Sequence, residues 1–258
     1  MPKRPIRSST LGLLVVAFAA VLGPAAAGAA PLGPGPADQA APQATLVRTH
    51  VFLPGRDAAR TGGGKPQPST ANCSADGTSQ GDATFTGFKT TGGFAQLNLA
   101  TAPGSVRSGA EQAIKNAFGA WTTGHPAPSF TVALASTATK ETPNRHTDVL
   151  FGRTPGNAIA VTYTWRWSDT QEYESDTVFS NRVAWAIVPE TGDGCNENVV
   201  AYDLQNIATH EFGHIYGLDH PTGDRFATMY AYGYTGETLK RTLAPSDSAG
   251  IDTVYTSP

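Results

Sequence analysis

The chain has 258 residues, with 18 Lys+Arg against 21 Asp+Glu and a formal net charge of −3, so it lacks the cationic surplus that nucleic-acid binding requires. Charged residues make up 15%, below the roughly 25% of an average soluble domain. The 28 glycines follow no triplet period and there are only two cysteines, which excludes collagen-like, coiled-coil and disulfide-scaffold classes.

Residues 1–29 read as an export signal. Lys3, Arg4 and Arg7 precede the apolar run Leu11–Leu22, and the small residues that follow offer cleavage after Ala27, Ala29 or Ala30. That run is too short for the ~20 residues of a membrane span, so no stable membrane anchor is expected. Residues 30–72 follow as a Pro/Gly-rich linker or short propeptide. Its one apolar patch, Leu46-Val-Arg-Thr-His-Val-Phe-Leu53, is read mainly as linker, with a short strand or a propeptide contact as alternatives. A folded domain is expected over 73–258. In an oxidising compartment Cys73 and Cys195 are a candidate disulfide. The sharper alternative, Cys73 as a thiolate blocking a metal site, draws little support from its surroundings, Ala71-Asn-Cys-Ser-Ala-Asp76.

Along the domain, Ser108-Gly-Ala-Glu111 has the form of a capping box. It opens a helix whose stripe Ala110, Ala113, Ile114, Ala117, Phe118 and Trp121 predicts core packing, not catalysis. Phe130-Thr-Val and Asp148-Val-Leu-Phe151 predict strands. Residues 159–167 alternate, with Ile159, Val161, Tyr163, Trp165 and Trp167 opposite Ala160, Thr162, Thr164 and Arg166, a strand with one heavily aromatic face. His50, His125 and His146 are expected to be ordinary surface or turn residues.

The segment His210-Glu-Phe-Gly-His-Ile-Tyr-Gly-Leu-Asp-His220 carries the chemistry. Asp203 can cap a helix there, with Leu204, Ile207, Ala208, Phe212 and Ile215 as its apolar side. His210 and His214 lie one turn apart on one face, close enough for two imidazoles to reach one Zn²⁺. Glu211 projects beside the metal, where it can take a proton from the attacking water. A continuing helix would carry position 220 past the ion. Gly217 permits a sharp left-handed turn that brings His220 back as a third ligand. Three protein ligands leave a fourth position open, as catalytic zinc sites do. By chance the full pattern would arise on the order of 10⁻⁵ times per chain.

Residue for residue this is the metzincin zinc-binding pattern. Met229, in Ala227-Thr-Met-Tyr230, resembles the metzincin Met-turn, whose methionine forms an apolar floor under the zinc. Ala117-Phe-x-x-Trp121, the strands that follow, Tyr234-Thr-Gly-Glu-Thr-Leu239 and Asp247–Tyr255 resemble the matrixins, peptidase family M10, in a bacterial-like secreted form. The resemblance covers about residues 94–258. It implies an α/β (α+β) fold: a twisted mixed five-stranded sheet, two long helices, and a small C-terminal subdomain with the Met-turn and a C-terminal helix. It also makes 159–167 the edge strand above the cleft, pairing with extended substrate.

Several positions depart from the family. Pro221 stands where matrixins usually have Ser and serralysins have Pro, but the short spacing to Met229 favours matrixins. Ala231 occupies the position of a zinc-switching tyrosine in astacins and serralysins, so Tyr230, Tyr232 and Tyr234 are candidate pocket walls rather than ligands. Gly156–Tyr163 lacks the histidines of the family's structural zinc site, so one zinc is expected. Ser246 replaces the first of two adjacent aspartates, leaving Asp247, and the cysteine-switch motif is absent. Calcium is possible by resemblance and from the acidic loop Glu190-Thr-Gly-Asp193. The implied function is a secreted zinc-dependent metalloendopeptidase acting on proteins or peptides, expected to be a monomer. The alternative is a catalytically idle, zinc- or peptide-binding secreted protein of the same fold.

Overall fold

The computed structural model describes residues 41–55, 78–192 and 194–257. The chain clusters into two units, Met1–Ala41 and Pro42–Pro258, and every element described below belongs to the second. The export signal and Cys73 lie outside the described residues, as do residues 56–77.

The strands, in chain order, are β1 (Ala44–Pro54), β2 (Thr84–Phe85), β3 (Gly93–Leu97), β4 (Phe130–Ala133), β5 (Thr147–Gly152), β6 (Ala160–Trp167), β7 (Tyr173–Ser180), β8 (Trp185–Ala186), β9 (Tyr202–Asp203), β10 (Leu218–Asp219) and β11 (Tyr232–Gly233). The helices are α1 (Ala110–Thr122), α2 (Leu204–Ile215) and α3 (Pro245–Thr256). The main sheet runs β11-β1-β6-β7-β5-β3-β4. The five consecutive strands β6-β7-β5-β3-β4 are the mixed sheet that the matrixin resemblance implies: β4, β3, β5 and β7 pair in parallel, and β6 is antiparallel to β7.

The two remaining strands, β1 and β11, extend the sheet beyond β6 and are not part of that expectation. The patch read mainly as linker, Leu46–Leu53, lies within the 11-residue strand β1, which pairs antiparallel to β6 from Ala44↔Trp167 to Phe52↔Ala160 and parallel to β11 at Leu53↔Tyr232. The linker reading of this patch is therefore corrected. Pro and Gly surround the segment, but its own Leu, Val, Thr and Phe suit a pleated strand once partners are available.

The core lies between the sheet and the pair α1–α2. All six stripe residues of α1 are buried, as are Leu204, Ile207, Ala208, Phe212 and Ile215 of α2. Phe118 stacks on Phe212 with centroids 3.9 Å apart, and the Trp121 indole N–H donates to the Thr209 carbonyl at 2.8 Å, fixing the register of the two helices. The expected capping box does not form. Residues 103–109 are already wound in hydrogen-bonded turns, so Gly109 is the N-cap and no side chain caps the helix.

In β6 both faces are covered: Val161 and Trp165 are buried on the apolar face, and the opposite, threonine-bearing face is buried up to the exposed Arg166. Thr162 and Thr164 are fully buried, whereas Tyr163, stacked beside Trp165, is half-buried. The reason lies in α2, which packs against this strand and presents a carboxylate to Thr162.

Candidate active site

Helix α2 begins where the sequence predicts. Asp203 caps it by accepting the Asn206 N–H at 2.8 Å, and it also accepts from the Val188 N–H and the Arg241 guanidinium. The helix ends at Ile215 with Tyr216 as its C-cap, and Gly217 follows with φ +100°. A Cβ there would stand 2.2 Å from the Phe88 carbonyl oxygen, so both the turn and the close approach require glycine. The chain then enters β10 and presents His220.

The turn brings the three imidazoles together. His210 Nε2 lies 3.1 Å from His220 Nε2, and His214 Nε2 lies 3.0 Å from the same atom. His210 Nδ1 is 2.8 Å from the Thr228 carbonyl and His214 Nδ1 is 2.9 Å from the Leu218 carbonyl. A carbonyl only accepts, so both Nδ1 atoms carry protons and both Nε2 lone pairs face inward. His220 Nε2 has at most one proton and cannot satisfy both lone pairs. A cation between the rings satisfies all three. Nitrogens ~2.0–2.1 Å from a tetrahedral zinc stand about 3.3 Å apart, so this donor set fits zinc with little adjustment.

Electrostatics agree. Burial holds His210 and His214 well below the ordinary imidazole range, and burial lowers His220 to about 4 despite the neighbouring Asp219 charge. The rings are thus neutral and ligand-competent at neutral pH.

Glu211, on the same helix, is fully buried. Its Oε2 accepts the Thr162 hydroxyl at 2.6 Å, and its Oε1 has no hydrogen-bond partner. Burial pushes this carboxyl up to about 8, against the stabilising bond from Thr162. A buried oxygen left without a donor is costly in a purely structural role.

Residues 98–256 match the family model of the matrixins, peptidase M10. The chain belongs to the matrixin family. That makes it a zinc metallopeptidase in class, with proteins or peptides as substrates. No curated protein matches it significantly. No described helix is long and apolar enough to cross a membrane.

The remaining expected residues of this matrixin divide. Met229 is buried beneath α2, where a Cβ on Gly213 would stand 2.2 Å from its sulfur, so helix and methionine meet at a glycine. Tyr230 and Tyr232 face one another at 5.4 Å, and the Tyr234 ring lies against Gly55. Ser246 contacts Ser79, and Asp247 is buried and accepts the Thr228 N–H at 2.6 Å, bracing the turn before Met229. The calcium expectation gains no support. Glu190 is paired with Arg241, Asp193 lies outside the described residues, and no metal-capable cluster among the described residues includes the loop.

Two site residues escaped the sequence reading. Thr162 appeared there only as one tooth of an alternating strand. His50, expected at the surface, is 4% exposed and stacks on His214 at 3.8 Å with the rings within 4° of parallel. Its neighbours in β1 offered one signal: the period-2 pair His50 and Phe52 on one face of a short apolar patch. His125, by contrast, pairs with Asp252 at 2.8 Å, and His146 is exposed, as expected of turn and surface residues.

Proposed function

We propose that this matrixin is an exported zinc endopeptidase in which His210, His214 and His220 hold the metal and Glu211 is the general base. The observation that carries the reading is the Glu211 carboxylate: fully buried, anchored through one oxygen and unpartnered at the other, on the helix that supplies two of the converging imidazoles. Zinc, when bound, supplies Lewis-acid polarisation of the scissile carbonyl and the attacking water.

The chain's own groups do the rest. Thr162 fixes Oε2 and favours the ionised form, as would the charge of a cation held by the three rings, which leaves Oε1 free to accept a proton from the attacking water. Glu211 then passes that proton to the leaving amine. The Thr228 and Leu218 carbonyls hold two of the rings in the tautomer that points Nε2 inward. Water is the nucleophile, so no acyl-enzyme forms.

Glu211→Gln tests the base. The variant is expected to retain one zinc per chain and lose casein hydrolysis by at least ~10²-fold, measured by metal analysis alongside a chelator-controlled digestion. Undiminished hydrolysis would overturn the assignment. Export is supported by the ordered basic, apolar and small-residue segments of residues 1–30. N-terminal sequencing of the protein from culture medium should begin after Ala27, Ala29, Ala30 or a later processing point. A chain that starts at Met1 and stays in the cell would contradict it.

A further inference from the structure

The sheet edge that should receive substrate is already paired. Strand β1 lies between β6 and β11, the two segments that flank the imidazoles, and its backbone is bonded to both sides. The Phe52 carbonyl accepts the Ile159 N–H at 2.8 Å, the Leu53 N–H donates to the Ala231 carbonyl at 3.0 Å, and the Gly55 N–H donates to the Gly233 carbonyl at 2.6 Å. This is strand addition, in which the backbone supplies affinity and alternate side chains enter pockets.

Two side chains of β1 enter. His50 stacks on His214, and Phe52, fully buried, lies 4.1 Å from the His210 ring. The Phe52 pocket is formed by His210, Ile207 and Gly233, where a Cβ would stand 2.4 Å from the phenyl ring. At its far end the buried Lys240 ammonium lies 5.9 Å from the ring centroid and is paired with Glu237 at 2.5 Å.

The rest of β1 is not built like a core strand. Thr45–Thr49 are exposed, including Leu46 at 50% and Val47 at 42%, and the strand lies outside the residues matched to the family. The strand is thus held by its backbone ladder, by the His50 and Phe52 rings and by the Arg48–Asp219 ion pair, while the other side chains of Thr45–Thr49 face solvent, as in a peptide docked on a sheet edge.

We propose that Ala44–Pro54 is an internal pseudo-substrate: it occupies the substrate cleft of this peptidase, keeps it latent, and displays through Phe52 the side-chain class that the pocket takes, large and aromatic. This inference rests on the reading of the site as a peptidase cleft. A tethered strand competes with free peptide at an effective concentration set by its tether, so peptide affinity falls by the fraction of chains in which the cleft is open.

The test uses the full chain in two backgrounds. In the Glu211→Gln background, binding of a fluorescein-labelled peptide copying residues 44–55 is measured by anisotropy for the parent, Phe52→Asp and Phe52→Ala. With Glu211 intact, the same three forms are assayed for casein hydrolysis. Phe52→Asp should bind the peptide at least ~10-fold more tightly than the parent and raise hydrolysis to a similar degree, and Phe52→Ala should do so to a lesser degree. Should Phe52→Asp fail to fold by circular dichroism, Phe52→Ala, which removes only the ring, decides. Equal peptide binding by the folded variant and the parent overturns the pseudo-substrate. Peptide binding that opens in the variant while no form cleaves casein would uphold the pseudo-substrate and overturn the peptidase reading instead.

Discussion

At the scale of single residues, the centre depends on how one carboxylate is held. Glu211 shares its helix with His210 and His214, but its orientation comes from the next layer, through the Thr162 hydroxyl on β6. Thr162 itself is braced by Thr177 at 3.0 Å, so the anchor reaches the middle of the sheet. Misplacing a catalytic group by about 1 Å can cost ~10²-fold. Thr162→Val keeps the shape and removes the donor, and is expected to lower kcat about ten- to a hundred-fold with zinc content and KM nearly unchanged. Because the lost bond favours the ionised form, the acidic limb of the kcat–pH profile should also move to higher pH. An unchanged kcat and profile would remove Thr162 from the mechanism. The four residues of the zinc pattern were legible because their spacing leaves few other uses. Thr162 was not, since a threonine in a strand is ordinary until the helix packed on it is known.

At the scale of elements, long periodic segments were readable and their terminations less so. The stripe of α1 and the alternation of β6 both survive in the structure, but the Ser108 cap does not, because the preceding turns had already set the helix start. That both faces of β6 are buried also depended on its neighbours. Another unannounced arrangement clamps residues 142–148 to β7. Asp176 accepts the Thr142 and Asp148 N–H groups, each at 2.9 Å, and Glu174 accepts those of Asn144 and Arg145. Burial, reinforced by the Asp148 and Glu174 charges, pushes the Asp176 carboxyl up to about 8, from an ordinary 3.8. The folded chain therefore holds this proton more tightly than the unfolded chain. The resulting stabilisation is complete below the unfolded value and is lost as pH rises through about 8. Asp176→Asn cannot ionise, so its Tm should fall less than the parent's between pH 5 and 9, whatever the constant offset from a lost acceptor. An equal or steeper fall would show that Asp176 is already ionised across that range.

At the scale of the whole molecule, the chain folds the matrixin sheet and then extends it with a strand of its own. Composition marked the region around β1 as linker, and only the pairing with β6 and β11, far away in sequence, turns eleven residues into part of the sheet. Long-range pairing of this kind overrides local composition and is the least readable feature of the fold. The zinc helix lies at the other extreme, since its ligands sit within one helix and one turn. The proposed chemistry requires those ligands to share one ion. Zinc content per chain, measured on the dialysed full-length protein and on His220→Ala, tests this most directly. One equivalent is expected in the parent and near none in the variant. Two equivalents in the parent, or one retained without His220, would contradict it.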